Sequence, residues 1–162
     1  MDFNIPQDIA DYLTVLDQFI EDEIRPLEQQ DDNIRFFDHR REWARTDFEN
    51  EGLPRPEWEE LLREAKRRAD KAGHLRYALP KEFGGQDGSN LGMAIIREHF
   101  AEQGLGLHND LQNEHSIVGN FPQILMLRDF ARPDQKHLAE DALNGKFLAC
   151  FGLTEPDHGS DA

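Results

Sequence analysis

The residues best suited to chemistry form a run near the end of the sequence, Thr154-Glu155-Pro156-Asp157-His158-Gly159-Ser160-Asp161. The hydroxyl of Thr154 can hydrogen-bond a ring ligand, and Gly159 lets a ligand approach the backbone closely because it has no Cβ. Ser160 adds a hydroxyl and an N–H where a phosphate oxygen fits. A tight structural turn would use the same residue types. These residues alone therefore indicate a ligand site and a purely structural turn about equally.

The residues just before this run predict a β-strand. Residues 146–153 form a short, mostly apolar segment bounded by turn residues, which is typical of a strand. Cys150 within it is the only cysteine of the chain and fits a small buried residue better than a nucleophile. Because a single cysteine forms no internal disulfide, the sequence favours a reducing compartment, and we expect a cytoplasmic location.

Five helices are predicted ahead of that strand, which makes the chain mainly α. Apolar residues recur at three- and four-residue steps, the spacing that puts them on one helix face. Residues 28–54 are irregular, charged and rich in aromatics, and we expect a long, partly ordered excursion over the surface. Its aromatics are expected to pack onto the helices rather than to cover a pocket. The helices are expected from Pro6 to Leu27 with a kink near Arg25, from Pro56 to Gly73, over 89–103, over 110–130 with a break at Pro122, and from Pro133 to Asn144.

The run from Thr154 to Asp161, called the signature run below, resembles the flavin-binding signature of the acyl-CoA dehydrogenase family, whose core is T-E-P-x-x-G-S-D. All six fixed positions match in register, directly after the predicted strand. Two weaker matches agree with it. Residues 79–85 resemble the family's proline–acidic–aromatic–Gly-Gly loop before a helix, and residues 134–136 with 144–146 resemble the short helix and turn ahead of the signature.

The resemblance implies an architecture. Residues 1–145 would be the N-terminal α-helical domain of the acyl-CoA dehydrogenase fold, and residues 146–162 the first strand and flavin-binding turn of a middle β domain that is truncated here. In this family the catalytic base lies in a later helical domain. It is therefore expected beyond residue 162, and no catalytic residue is assigned in this chain. We expect the polypeptide alone to be inactive and to hold FAD poorly.

The family's reaction defines the expected cofactor, substrate and partners. FAD binds in extended form, with the acyl-CoA thioester against one flavin face. A glutamate base removes the α-proton while the β-hydrogen leaves as hydride to flavin N5, which yields a 2,3-enoyl-CoA in fatty acid or related acyl catabolism. Electrons then pass to an electron-transferring flavoprotein, or to oxygen in the oxidases, and family members assemble as homodimers or homotetramers.

The resemblance also assigns ligand contacts, position by position. The residues expected to line and hydrogen-bond the isoalloxazine are Phe151, Leu153 and Thr154. Gly159 and Ser160 would approach the FAD phosphates, and Ser160 would also contact the acyl-CoA substrate. The helix expected near the acyl tail is the one around Ile117, Val118 and Gly119.

A net charge of −15 argues against some ligand classes. One is nucleic acid, whose affinity comes mostly from cations set against phosphates, and another is an anionic membrane surface. No stretch of the sequence approaches the ~18 apolar residues of a membrane helix. One predicted helix gathers four basic residues, for which a solvated basic face is a better interpretation than a phosphate site: Lys66, Arg67, Arg68 and Lys71.

Two other interpretations compete with a flavoenzyme. The spacings Glu155-x-x-His158 and Asp134-x-x-His137 resemble the carboxylate–histidine pairs of di-iron bundles, but one falls in a turn and the other at a helix start, so no metal site is predicted. Surface or hydrogen-bonded core positions are the better interpretation of His99, His108 and His115. The stronger alternative is a truncated, non-catalytic dehydrogenase-like module that pairs with a fuller subunit through its helices.

Overall fold

The computed structural model describes residues 4–109, 116–146 and 152, and these residues are mainly helical, which confirms the mainly-α class. They divide into two compact units, one that ends at Asn120 and one that begins at Phe121. The predicted strand over 146–153 and the predicted domain boundary after residue 145 lie at or beyond the limits of the described residues and stay predictions. Within the described ranges, every helix is too short or too polar to cross a bilayer.

The first helix, α1 (Gln7–Phe19), passes through one π-helical turn (Ile20–Ile24) into α2 (Arg25–Gln29). Pro26 explains the interruption, because proline has no N–H and its ring collides with the carbonyl four residues earlier in a regular α-helix. A π-turn widens the helix and accommodates the ring. The interruption predicted near Arg25 is confirmed, and the buried apolar face continues through it to Leu27.

Residues 30–54 form a series of short elements, more regular than the partly ordered excursion predicted. A 3₁₀ segment (Gln30–Phe36) leads to α3 (Arg41–Arg45). The strands β1 (Thr46–Asp47) and β2 (Leu53–Pro54) then pair antiparallel in a small hairpin, which the sequence patterns do not predict. Strands of two residues are too short to show an alternating pattern, so no sequence signal marks them.

Two longer helices complete the core of the first unit, α4 (Pro56–Lys71) and α5 (Asn90–Glu102). Gly73 follows α4 in the left-handed conformation (φ +83°), and Ser89 caps α5, as predicted. The predicted buried face of α4 is confirmed except for Ala72, which follows the helix and is exposed. Its buried residues are Trp58, Leu61, Leu62, Ala65 and Ala69.

Phe36 is fully buried with its ring centroid 5.2 Å from that of Trp58, and Phe37 meets the same ring at 5.8 Å. Packing of residues 28–54 onto the helices is therefore confirmed for these two aromatics. It is wrong for Trp43 and Phe48, which are exposed and pack against each other.

The second unit contains α6 (Pro122–Phe130), a 3₁₀ turn (Pro133–Gln135) and α7 (His137–Leu143). The predicted helix over 110–130 is wrong for residues 116–121, which are not helical. Pro122 is the physical reason at the boundary, because proline disfavours the α conformation of the residue before it. Phe121 accordingly has φ −124° and ψ 57°, and the helix begins at the proline.

Candidate functional site

The residues predicted to bind FAD lie outside the described residues, and their roles stay predictions: Phe151, Leu153, Thr154, Gly159 and Ser160. Gly152, which lies among them, is exposed. No atom of the described residues lies within 4 Å of the position that a Cβ would take there.

The glycine-rich loop ahead of α5 folds back on the residues that follow α4. The N–H of Gly88 donates to the carbonyl of Tyr77 at 2.9 Å, and the N–H of Asp87 donates to the carbonyl of Leu79 at 3.0 Å. A Cβ on Gly88 would collide with the Tyr77 ring, and one on Gly85 would collide with the Leu79 carbonyl. Glycine is required at both positions because two backbone segments touch there.

A buried aromatic group ties this loop to α1. The Tyr12 hydroxyl lies 3.1 Å from His74 Nδ1, and the Tyr12 ring stacks on Tyr77 with centroids 4.5 Å apart. Burial, helped by the nearby Tyr77, raises the pKa of the Tyr12 phenol. Burial also lowers the pKa of His74. Both side chains are therefore neutral at neutral pH, which makes this a structural hydrogen bond between uncharged groups.

The side chain of Glu28 is buried on α2, with 5% of the residue exposed. Its Oε1 accepts a hydrogen bond from the backbone N–H of Leu107 at 3.2 Å, and its Oε2 lies 3.7 Å from Arg25 Nη1. Burial raises the pKa of the Glu28 carboxyl, while the Leu107 N–H and then Arg25 oppose that rise. Glu28 thus joins α2 to the turn at residues 106–109, where its partner Leu107 lies 79 positions further along the chain.

His108 is fully buried in the same turn. Its Nε2 lies 3.4 Å from the carbonyl oxygen of Phe100, and the two rings meet edge-on at 5.7 Å. Because a carbonyl only accepts, Nε2 carries the hydrogen of the neutral ring and Nδ1 presents a lone pair. Nδ1 has no hydrogen-bond partner among the described residues. Burial lowers the pKa of His108, with the Phe100 carbonyl opposing it.

Residues 116–120, called the return segment below, are the last residues of the first unit. Three hydrogen bonds hold it: Ile117 N–H to the His108 carbonyl at 3.4 Å, Arg97 Nη2 to the Val118 carbonyl at 3.1 Å, and Gly119 N–H to the Leu75 carbonyl at 2.9 Å. Ile117 and Val118 are fully buried core residues on non-helical backbone, which corrects the predicted helix. Their predicted position near an acyl tail stays a prediction.

The basic residues of α4 are balanced by carboxylates. Arg67 Nε lies 2.7 Å from Glu64, and Arg68 Nε lies 2.8 Å from the same carboxylate. These hydrogen bonds lower the pKa of Glu64 to about 2. Arg68 also donates to the backbone carbonyl of Glu23 at 2.8 Å. The interpretation as a solvated, charge-balanced face is confirmed for Arg67 and Arg68.

No three His, Cys, Asp or Glu side chains come together as metal ligands within the part of the chain that the structure describes. Asp134 Oδ1 instead lies 3.2 Å from Arg132 Nε at the surface. His99 Nε2 lies 2.6 Å from Asp17 Oδ1, so His99 is hydrogen-bonded as predicted. His108 occupies a core position as predicted, and the predictions for His115, Glu155 and His158 concern residues outside the described ones.

The structure thus joins Glu28 to the backbone of Leu107, a contact that the sequence analysis does not predict. Glu28 does carry a sequence signal, because it continues the four-residue row of Leu16, Ile20 and Ile24 on the buried face. A charged residue in line with an apolar row indicates a buried partner. Comparisons with protein-family models, with curated proteins and with solved structures find no match for this chain.

Proposed function

We propose that this chain is the N-terminal part of an FAD-dependent acyl-CoA dehydrogenase, which converts an acyl-CoA thioester to a 2,3-enoyl-CoA in fatty acid or related acyl catabolism. The observation that carries the proposal is the signature run, which matches the T-E-P-x-x-G-S-D core at all six fixed positions. A chance match of six positions in register, directly after a predicted strand and a series of helices, is a far weaker explanation.

Two described features support the proposal because they lie where the resemblance predicts them. Lys81–Phe83 forms a 3₁₀ turn that ends at the left-handed Gly84 (φ +76°), ahead of α5. The short α7 is followed by the left-handed Gly145 (φ +68°), just before the predicted strand. Glycine in the left-handed conformation is a common way to end such helical turns, so both features agree with the loop and the short helix that the resemblance predicts.

The signature run would bind the cofactor and orient it. Thr154 would hydrogen-bond the isoalloxazine, Gly159 would let the FAD phosphates approach the backbone, and Ser160 would contact both phosphate and acyl-CoA. FAD, when bound, supplies the acceptor for the hydride in this chemistry. The catalytic base and the contact with an electron-transferring flavoprotein are expected on parts of a longer protein. The same holds for assembly as a homodimer or homotetramer.

The test is a hydroxyl deletion in the signature run of the full-length protein. Thr154→Val keeps the shape of the side chain and removes the hydrogen bond, so we expect the purified variant to carry less FAD per polypeptide. Thr14→Val, at an exposed position of α1, is the matched control and should retain FAD like the unchanged protein. Equal FAD content in both variants would contradict the assignment of Thr154.

An exposed apolar face on α6 favours the alternative, a non-catalytic module that pairs with a fuller subunit. Met126 and Phe130 lie one turn apart and are 54% and 84% exposed, which leaves an apolar pair on α6 that a partner would cover. In this alternative the purified full-length protein carries no FAD and co-elutes with a flavin-containing subunit through this face. Loss of that co-elution in Phe130→Lys would support it. FAD bound to the purified protein by itself would contradict it.

A further inference from the structure

Trp43, on α3, and Phe48, in the turn between β1 and β2, form an aromatic pair at the surface. Trp43 is 65% exposed and Phe48 is 45% exposed, and their ring centroids lie 4.6 Å apart at an interplanar angle of 60°. The other aromatics of this region pack inward, since Phe36 and Phe37 both meet the ring of Trp58. Aromatic side chains dominate interface energetics through the area they bury, so this exposed pair is a surface that a partner would cover.

The backbone on both sides of the pair is held by hydrogen bonds. Arg55 Nε donates to the Trp43 carbonyl at 2.8 Å, and Arg55 Nη2 lies 3.8 Å from Asp47 Oδ1, which joins α3 to both strands of the hairpin. In the turn, the N–H groups of Asn50 and Gly52 both donate to the Asp47 carbonyl, at 3.1 and 3.0 Å. A ligand therefore meets an ordered surface, which reduces the entropy cost of binding.

The chain beside the pair is acidic. Residues 46–60 contain six acidic residues and one basic residue, Arg55, whose guanidinium already contacts Asp47. Glu49 and Glu51 are exposed in the hairpin turn, and neither forms an ion pair with another described residue. The surface next to the aromatic pair therefore attracts cations and repels anions.

An arginine side chain matches both the rings and the carboxylates. Its guanidinium stacks flat against an aromatic ring, and its N–H groups pair with carboxylates in a fixed fork geometry. Lysine offers only a point charge that stays more strongly hydrated. The two residues before Trp43, Arg41 and Glu42, carry opposite charges and so leave the negative charge of the turn in place.

We propose that the surface formed by Trp43, Phe48, Glu49 and Glu51, called the hairpin surface below, binds an arginine-bearing segment of a partner protein. The guanidinium would stack on the aromatic pair and bind the carboxylates of the turn. Nucleic acid and anionic lipid do not fit, because the same carboxylates repel phosphate. No residue of the signature run takes part, so this binding is independent of the proposed flavin chemistry.

The first measurement is hydroxyl-radical footprinting of the full-length protein, with the oxidation of each residue read by mass spectrometry. We expect Trp43 and Phe48 to be oxidised readily, whereas the buried Trp58 is oxidised little. Protection of Trp43 in the absence of any added peptide would overturn the proposal, because the chain itself or a second copy would then cover the hairpin surface.

The second measurement is a calorimetric titration of the same protein with the capped peptide acetyl-Gly-Arg-Gly-Arg-Gly-amide. Three analogues carry lysine, glutamine or leucine in place of both arginines. We expect the arginine peptide to bind most tightly and to protect Trp43 from oxidation, the lysine peptide to bind more weakly, and the two uncharged peptides to bind most weakly. Binding of the leucine peptide as tight as that of the arginine peptide would overturn a cationic partner.

Substitutions in the full-length protein separate the hairpin surface from the overall charge of −15. Trp43→Leu should raise the Kd of the arginine peptide about two- to fivefold, the usual effect of one exposed cation–π contact. Glu49→Gln and Glu51→Gln should raise it by up to about fivefold each. The matched control combines Glu98→Gln with Glu102→Gln, two exposed positions of α5, and should leave the Kd unchanged.

Two results with these variants would overturn the proposal. One is an unchanged Kd in Trp43→Leu, which would show that the aromatic pair takes no part in binding. The other is an equal loss of affinity when two carboxylates are removed from the hairpin turn or from α5, since binding would then follow the net charge of the chain.

Discussion

The Tyr12 hydroxyl and His74 Nδ1 lie 3.1 Å apart and join α1 to the residue that follows Gly73 at the end of α4. Tyr12→Phe removes this hydrogen bond and keeps the stack on Tyr77. We expect the free energy of unfolding to fall by about 1 kcal/mol, the usual net value of such a bond. Chemical denaturation measures it, and a free energy of unfolding equal to that of the unchanged protein would show that the bond contributes nothing.

The same pair predicts a pH dependence whose sign follows from burial. The pKa of folded His74 lies below its ordinary value of 6.5, so its contribution to stability is present above pH 6.5 and is lost as pH falls below it. His74→Gln should remove this part of the acid destabilisation. The measurement is the difference in unfolding free energy between variant and unchanged protein on the two sides of pH 6.5. A difference that does not change with pH would contradict a neutral, buried His74.

The N-cap of α5 offers a prediction with a matched substitution at one position. Ser89 Oγ accepts the N–H of Gly92 at 3.0 Å, which satisfies one of the free donors at the helix start. Ser89→Ala should lower the free energy of unfolding by about 1 kcal/mol, and Ser89→Asp should retain it, because aspartate caps equally well. Thermal or urea unfolding of the two variants tests this, and equal stability of the two would refute the capping role.

The contact between Gly88 and Tyr77 predicts a steric penalty that a second substitution relieves. The methyl group of Gly88→Ala would collide with the Tyr77 ring and carbonyl, so we expect a loss of about 1–3 kcal/mol, typical of overpacking. The loss should be smaller when the same change is made in a Tyr77→Leu background, because the ring is then absent. A double-mutant cycle measures this coupling. Strictly additive effects would show that the ring is not the obstacle.

Local signals predict much of the fold, while long-range partners decide the rest. Pro6, Ser89 and Gly73 mark helix ends through backbone preferences that depend on their own residue type. The return segment escapes prediction because Ile117 and Val118 continue a helical apolar spacing, whereas hydrogen bonds to Leu75 and Arg97 fix a non-helical backbone. These partners are distant in sequence, and no local pattern reveals them.

The candidate functional residues likewise include some that the sequence reveals and some that it does not. The signature run is recognisable from its residues because the proposed flavin-binding turn would need particular residue types at fixed positions. The contact of Glu28 is harder to predict, since its partner, the backbone N–H of Leu107, lies 79 positions away. The sequence shows a charged residue, Glu28, in line with an apolar row. The structure shows that its carboxyl accepts a hydrogen bond from the Leu107 backbone.

The measurement that tests the central proposal most directly is an anaerobic titration of the purified full-length protein with acyl-CoA thioesters, followed through the flavin absorbance. We expect the protein to carry FAD, its flavin absorbance to bleach as acyl-CoA is added, and a 2,3-enoyl-CoA to be recovered. A protein that holds no flavin after supplementation with FAD, or whose bound flavin stays oxidised with acyl-CoAs of every chain length and branching, would contradict the assignment to the acyl-CoA dehydrogenases.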